Sequence, residues 1–179
     1  MHKLSAGLLM YRKRSDTLEM FLVHPGGPFW QKKDLAAWSI PKGEYSEGDD
    51  PFSTALREFE EETSIRPGGI FIPLGEIRQP SGKLVTAWAF EGNCDPSNVK
   101  SNSFSMEWPK GSGVVREFPE IDRGEWFNLE NSKAKILKGQ LGFIDRLAQK
   151  VEGRLEPSQN TGHEIRHGEP PRPAQASLF

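Results

Sequence analysis

Apolar and polar positions divide the chain into short, strongly patterned runs. Residues 4–11 are almost wholly apolar and 19–23 largely so, with the polar turn Arg14-Ser15-Asp16 between them, which predicts two strands. Residues 24–30 (His-Pro-Gly-Gly-Pro-Phe-Trp) are rich in breakers and predict a rigid loop tipped by aromatics. Trp38-Ser39-Ile40 reads as a short strand stopped by Pro41. Asp49 or Asp50 followed by Pro51 is a helix start, and the helix runs to about Thr63. Its apolar face is Phe52, Ala55, Leu56 and Phe59, which packs on a sheet and leaves the glutamates pointing outward.

The second half continues in the same manner. Residues 70–78 and 84–90, on either side of Pro80-Ser81-Gly82, predict a hairpin. A polar loop spans 93–102, and 104–108, 114–118 and 125–127 add short strands. Residues 132–137 and 140–151 predict helices, the second with Leu141, Ile144, Leu147 and Ala148 in one stripe. Strands before and after a central helix, with helices at the end, give an α/β layered domain over 1–152. Residues 153–179 are polar and proline-rich, ending near Pro-Pro-Arg-Pro, and read as a disordered tail serving as a spacer.

Composition narrows the function classes. A net charge of −2 excludes bulk electrostatic attraction to nucleic acid or to an anionic membrane. The apolar run at 4–11 is too short to span a bilayer and runs into Arg12, Lys13 and Arg14, which argues against a signal peptide. Cys94 is the only cysteine, so no disulfide framework exists and a reducing cytoplasm is the expected setting. Cys94 has no adjacent histidine, and His24 reads as a structural or pocket-wall residue rather than a catalyst.

The candidate chemistry lies on the central helix. Glu58, Glu61 and Glu62 fall three and four positions apart, so their like charges crowd one side of one turn. Three hard oxygen donors suit Mg²⁺ or Mn²⁺ rather than zinc, and such a metal takes further ligands from substrate phosphates. The stretch 43–65 resembles the signature of the Nudix hydrolases. Gly43, Arg57, Glu58, Phe59, Glu61, Glu62 and Ile65 fall in register with that signature. Asp49 stands where the family has Glu, and Ser64 where it has Gly, which puts any contact from Asp49 and the helix end at Ser64 in question. Gly68 and Gly69 offer a later helix end.

The resemblance implies a mixed β-sheet between α-helices and the hydrolysis of a nucleoside diphosphate linked to another group. It implies a divalent metal held by Gly43, Glu58, Glu61 and Glu62, with Glu58 either a third carboxylate ligand or the general base. Arg57 is expected to hold Glu61, four residues on. A further acid from outside the signature is expected among Glu107, Glu117, Glu120 and Glu125, with Glu120 preferred. Trp38 to Gly43 resembles the entry sequence of the diadenosine tetraphosphate hydrolase branch of that family, and Ser5-Ala6-Gly7 fits the same branch. Lys42 and, on weaker grounds, Lys83 are candidate phosphate contacts. Trp30 and Trp38 are candidates to stack on a base, along with Phe29, whereas Trp88 reads as core.

The expected substrate is a dinucleoside polyphosphate or a nucleoside triphosphate, with ADP-ribose or a sugar nucleotide as the enzyme alternative. A nucleotide-binding sensor without turnover, and an interaction module working through the tail, are the readings from other classes.

Overall fold

The computed structural model describes residues 3–153. The tail expected over 153–179 therefore falls outside the described residues apart from Gly153. The strands are β1 (Leu4–Arg14), β2 (Thr17–Pro25), β3 (Lys42–Tyr45), β4 (Phe71–Arg78), β5 (Leu84–Glu91), β6 (Ser103–Glu107), β7 (Val115–Pro119) and β8 (Ile121–Asn128). The helices are α1 (Pro51–Thr63), α2 (Leu129–Lys135) and α3 (Leu141–Glu152).

β1 and β2 pair only from Tyr11 to Arg14 against Thr17 to Met20. Beyond that ladder the two strands part, and residues 39–45 enter the gap. Ser39 and Val23 exchange both backbone hydrogen bonds at 2.9 Å, and the Leu8 N–H donates to the Pro41 carbonyl at 3.0 Å. β3 then pairs with the first residues of β1, Gly43 opposite Ala6. Gly7 is required here, because a Cβ on it would lie 2.6 Å from the Pro41 oxygen.

This arrangement differs from the sequence expectation at two points. The short strand expected at 38–40 is reduced to two single bridges, Val23 with Ser39 and Trp38 with Ile136. Lys42 lies in a strand rather than on a turn. A Lys-Gly-Glu-Tyr run has no strand pattern of its own; its pairing is imposed by the open edge of β1.

The main sheet runs β4-β5-β1-β2-β8, with β3 also on β1. β5 is parallel to β1 and the remaining pairs are antiparallel, so the sheet is mixed. The expected strands near 104–108 and 114–118 exist, but β6 and β7 form a separate two-stranded ribbon.

The period of two along each strand divides the side chains between two cores. Ala6, Leu8, Met10, Phe21 and Val23 meet Ala55 and Phe59 of α1 on one face. Leu9, Tyr11, Met20, Leu22, Val85 and Ala87 meet Phe143, Ile144, Leu147 and Val151 of α3 on the other. The result is the sheet between helices that the resemblance implied.

α1 begins where the sequence placed it. Asp50 is its cap, accepting from the Ser53 N–H at 2.9 Å, and Pro51 opens the first turn. It ends at Ser64, not at Gly68 or Gly69. Ser64 takes the left-handed conformation at φ 59°, which strains a residue with a Cβ by roughly 1–2 kcal/mol. Its N–H reaches the Glu60 carbonyl and its hydroxyl donates to the Lys100 carbonyl, both at 2.8 Å. α2 starts earlier than expected because Asn128 caps it, accepting from the Asn131 N–H at 2.8 Å. Among the described residues no helix is long and apolar enough to cross a membrane.

Gln140, expected only as a helix start, is wholly buried and anchors the inserted segment. Its Oε1 accepts from the Ile40 N–H at 3.1 Å, and its amide Nε2 lies 3.1 Å from the Ser39 hydroxyl. Replacing Gln140 by Met should leave the buried Ile40 N–H without a partner and destabilise the protein by about 1–3 kcal/mol. Urea denaturation should show a lower midpoint at an unchanged slope.

Candidate active site

α1 packs against β3 so closely that one residue type fits at the contact. A Cβ on Gly43 would lie 1.9 Å from the Glu58 carboxyl carbon. The Glu58 carboxylate thus rests directly on the Gly43 backbone. Arg57 binds it from the side, Nη2 to Glu58 Oε1 at 2.7 Å, and reaches forward from Nη1 to Glu61 Oε2 at 2.9 Å. One planar guanidinium bridges two carboxylates, which is what its fork geometry allows. One turn on from Glu58, Glu62 Oε2 accepts from the Lys42 backbone N–H at 3.1 Å. Glu58 and Glu62 therefore turn in against β3, while Glu61 is the exposed member. The outward-facing acidic stripe expected from sequence is only partly outward.

Burial dominates the electrostatics. It raises the Glu62 carboxyl to about 8 against the opposing pull of the Lys42 ammonium and backbone N–H; Glu58 and Glu120 push in the same direction as burial. Burial raises Glu58 as well, opposed by Arg57 and reinforced by Glu61 and Glu120. The Lys42 ammonium is shifted down, again by burial first and despite Glu62. Both partners move toward their neutral forms, so desolvation outweighs their mutual attraction.

Glu62 and Lys42 open onto a cavity of about 190 Å³, also lined by Glu120, Trp30, Ile40 and Leu137. Glu120 is delivered by the junction of β7 and β8. Its carbonyl accepts from the Gly26 N–H at 2.9 Å, and its own N–H donates to Asn102 at 2.8 Å. Of the four acids considered from sequence, Glu120 alone lines this cavity. Glu117 and Glu125 are exposed on β7 and β8, and Glu107 Oε1 accepts from the Gly113 N–H at 2.6 Å.

The aromatic candidates separate clearly. Trp38 does not reach the cavity: it is wholly buried, its ring edge lies against Phe127, and its Nε1 donates to Asp34 at 3.0 Å. A large aromatic between two strands is claimed by the core before it is available to a ligand. Trp30 lines the cavity, with the Lys33 ammonium 4.6 Å above its ring. Phe29 is exposed and meets Trp108 edge-on at 5.3 Å. Trp88 packs on Phe52 at 5.1 Å. Lys83 does not line the cavity; its ammonium bonds Glu44 at 2.8 Å and so ties the turn before β5 to β3. Asp49 accepts from the Ser46 N–H at 3.0 Å in the turn before α1. Burial pushes the Cys94 thiol up to about 11, which removes it as a nucleophile.

Among the described residues, no group of three or more His, Cys, Asp or Glu side chains is already gathered as a metal site. The donor chemistry nevertheless fits a hard divalent cation. Glu58 and Glu62 are half-buried carboxylates, Glu58 and Glu120 both raise Glu62, Glu120 also raises Glu58, and Arg57 holds Glu58 and Glu61 together. Gly43, with its bare Cα under Glu58, brings backbone to the same point.

A pH dependence follows for metal-free protein. Glu62 ionises near 4.5 when unfolded and near 8 when folded. The folded state then holds the extra proton, so stability falls as pH rises from about 4.5 to about 8. The slope is at most roughly 1.4 kcal/mol per pH unit. Thermal melts in chelator should show this decline, and Glu62→Gln should flatten most of it.

Comparison with known proteins places this geometry. The family model described as the NUDIX domain matches residues 1–147. Among solved structures, an Ap4A hydrolase binary complex from C. elegans superposes with a TM-score of 0.60 at 21% identity, covering 84% of this chain and 98% of that one. The NUDIX domain of Shewanella oneidensis NrtR complexed with ADP ribose gives 0.58 at 15% identity, covering 84% and 89%. A MutT protein from Methanosarcina mazei gives 0.54 at 19%, covering 84% and 96%. These likenesses carry the fold, and enzymes of this family generally use divalent metals. With the match spanning 1–147 and Arg57, Glu58, Glu61 and Glu62 in place on α1, the chain belongs to the Nudix family and is a hydrolase acting on pyrophosphate bonds.

Proposed function

We propose that the substrate is a dinucleoside polyphosphate of the diadenosine tetraphosphate kind, or a nucleoside triphosphate, cleaved with Mg²⁺ or Mn²⁺. The observation that carries this reading is the single cavity that places Lys42, Glu62 and Glu120 beside the apolar and aromatic surface of Trp30, Ile40 and Leu137. A nucleotide has both halves of that chemistry: a charged phosphate chain and a flat, weakly polar base.

In this reading Glu58, Glu61 and Glu62, with the Gly43 backbone, hold the metal. When bound, it neutralises phosphate charge and lowers the pKa of a water. Arg57 keeps Glu58 and Glu61 oriented. Glu120 or Glu58 takes the proton of the attacking water, Lys42 meets a phosphate oxygen, and Trp30 offers a face to the base. The setting is a reducing cytoplasm, in keeping with the free Cys94.

The second reading is ADP-ribose, favoured by the likeness to the NrtR domain bound to that ligand. A sensor without turnover is the reading from another class.

The test is hydrolysis of diadenosine tetraphosphate, nucleoside triphosphates and ADP-ribose by purified protein with Mg²⁺. Glu62→Gln and Glu58→Gln should each lower kcat by about 10²–10³ on the true substrate. Rapid turnover of ADP-ribose alone would replace the first reading by the second. Binding without turnover of any of them would make the chain a sensor. Gly43→Ala should act like Glu58→Gln, because the added methyl displaces that carboxylate. Measuring kcat alongside the melting curve separates this effect from misfolding.

A further inference from the structure

The cavity wall across from α1 is built by three separate stretches: Val23 and Pro25 at the end of β2, Trp30 in the following loop, and Glu120 with Ile121 at the start of β8. His24 stands at their junction. It is wholly buried, and its ring lies against Trp38 at 5.1 Å. Nδ1 is 2.9 Å from Asp122 Oδ1, and Nε2 is 2.7 Å from the Lys33 backbone oxygen. A backbone carbonyl can only accept, so Nε2 donates to Lys33, while Nδ1 pairs with the Asp122 carboxyl. One side chain thereby ties β2 to β8 and to the far end of the loop.

From Lys33 the connection continues to the cavity. The Lys33 N–H donates to the Trp30 carbonyl at 2.8 Å, and the Trp30 N–H to Gly27 at 3.3 Å. The other charged groups nearby are already engaged. Arg123 lies 3.9 Å from Asp122 and 5.1 Å over the Trp38 ring, and Asp34 binds Trp38 and Lys135. Among the described residues, none of these supplies a second link between the loop and β8 through the ring of a β2 residue.

We propose that His24 is a positioning residue for the substrate. Its two hydrogen bonds hold the stretches that carry Trp30 and Glu120 in the cavity wall, without the imidazole entering the cavity. The inference rests on that cavity being the substrate pocket, as proposed.

Three readouts on full-length protein test it. With ¹⁵N-labelled histidine, NMR should show a slowly exchanging N–H on Nε2 of His24; an unprotonated or rapidly exchanging Nε2 overturns the proposal. In His24→Phe, which keeps an aromatic ring against Trp38, amide exchange at Lys33 should quicken at least about tenfold, while Ser39 in the inserted segment and Leu8 of β1, which bonds to it, stay protected. Unchanged exchange at Lys33 overturns it. The KM for diadenosine tetraphosphate should rise about tenfold with kcat within about threefold. A fall in kcat at constant KM, or no change in either, overturns it. If His24→Phe does not fold, Asp122→Ala removes only the Nδ1 partner and should raise KM in the same direction by a smaller factor.

The NMR and exchange readouts need no substrate. If diadenosine tetraphosphate is not turned over, the substrate reading fails alone, and these two readouts still decide the role of His24.

Discussion

The architecture depends on one constraint: where β1 and β2 part, their backbone groups must find other partners. A buried, unpaired N–H or C=O costs about as much as a lost hydrogen bond. Residues 39–45 meet that requirement, taking Val23 on one side and Leu8 and the start of β1 on the other. The insertion fixes Lys42 and Gly43 at the middle of the sheet, directly under α1. Gly7 is needed for the segment to pass and Gly43 for the helix to close on it. The acidic helix face and Lys42 meet because a strand pair opens, not because of anything local to the helix.

What could be read from sequence follows the range of the interactions. α1 was legible from Asp50, Pro51 and the Phe52-Ala55-Phe59 stripe, since caps and periodicity are local signals. The Arg57–Glu61 bridge was legible because helical spacing alone brings the two together. The strand at 42–45 was not, since its pairing comes from β1. Trp38 was misplaced as a stacking residue because its burial depends on Phe127 and His24, which are remote in sequence. Ser64 shows a different limit. Sequence preference favoured a glycine end, but a hydrogen bond to Lys100 in a distant loop holds serine in the left-handed conformation. Gln140 carries no mark in the sequence of the backbone it satisfies a hundred residues earlier.

The electrostatics of the site are those of an acidic cluster held slightly out of water. Surface glutamates at helical spacing would repel weakly and be screened. Here packing on β3 partly removes Glu58 and Glu62 from solvent, and Glu120, brought close by the β7–β8 junction, makes both harder to ionise. Arg57 pairs with Glu58 and Glu61, whereas the cation that faces Glu62 is Lys42, itself disfavoured as a charge by burial. A divalent cation removes this strain in one step, and removes more of it than a single lysine does.

The division of labour between helix and walls also explains why family membership leaves the substrate open. The groups proposed to hold the metal all come from α1 and the strand beneath it, a unit set by close packing. The cavity's other walls come from β2, the loop through Trp30, the Glu120–Ile121 junction and Leu137, which share no secondary structure with α1. Changing those walls alters what fits without moving Glu58 off Gly43. In the proposed reading, selectivity resides in how the separate stretches are held to one another, and buried links such as the His24 ring govern it more than the acidic helix does.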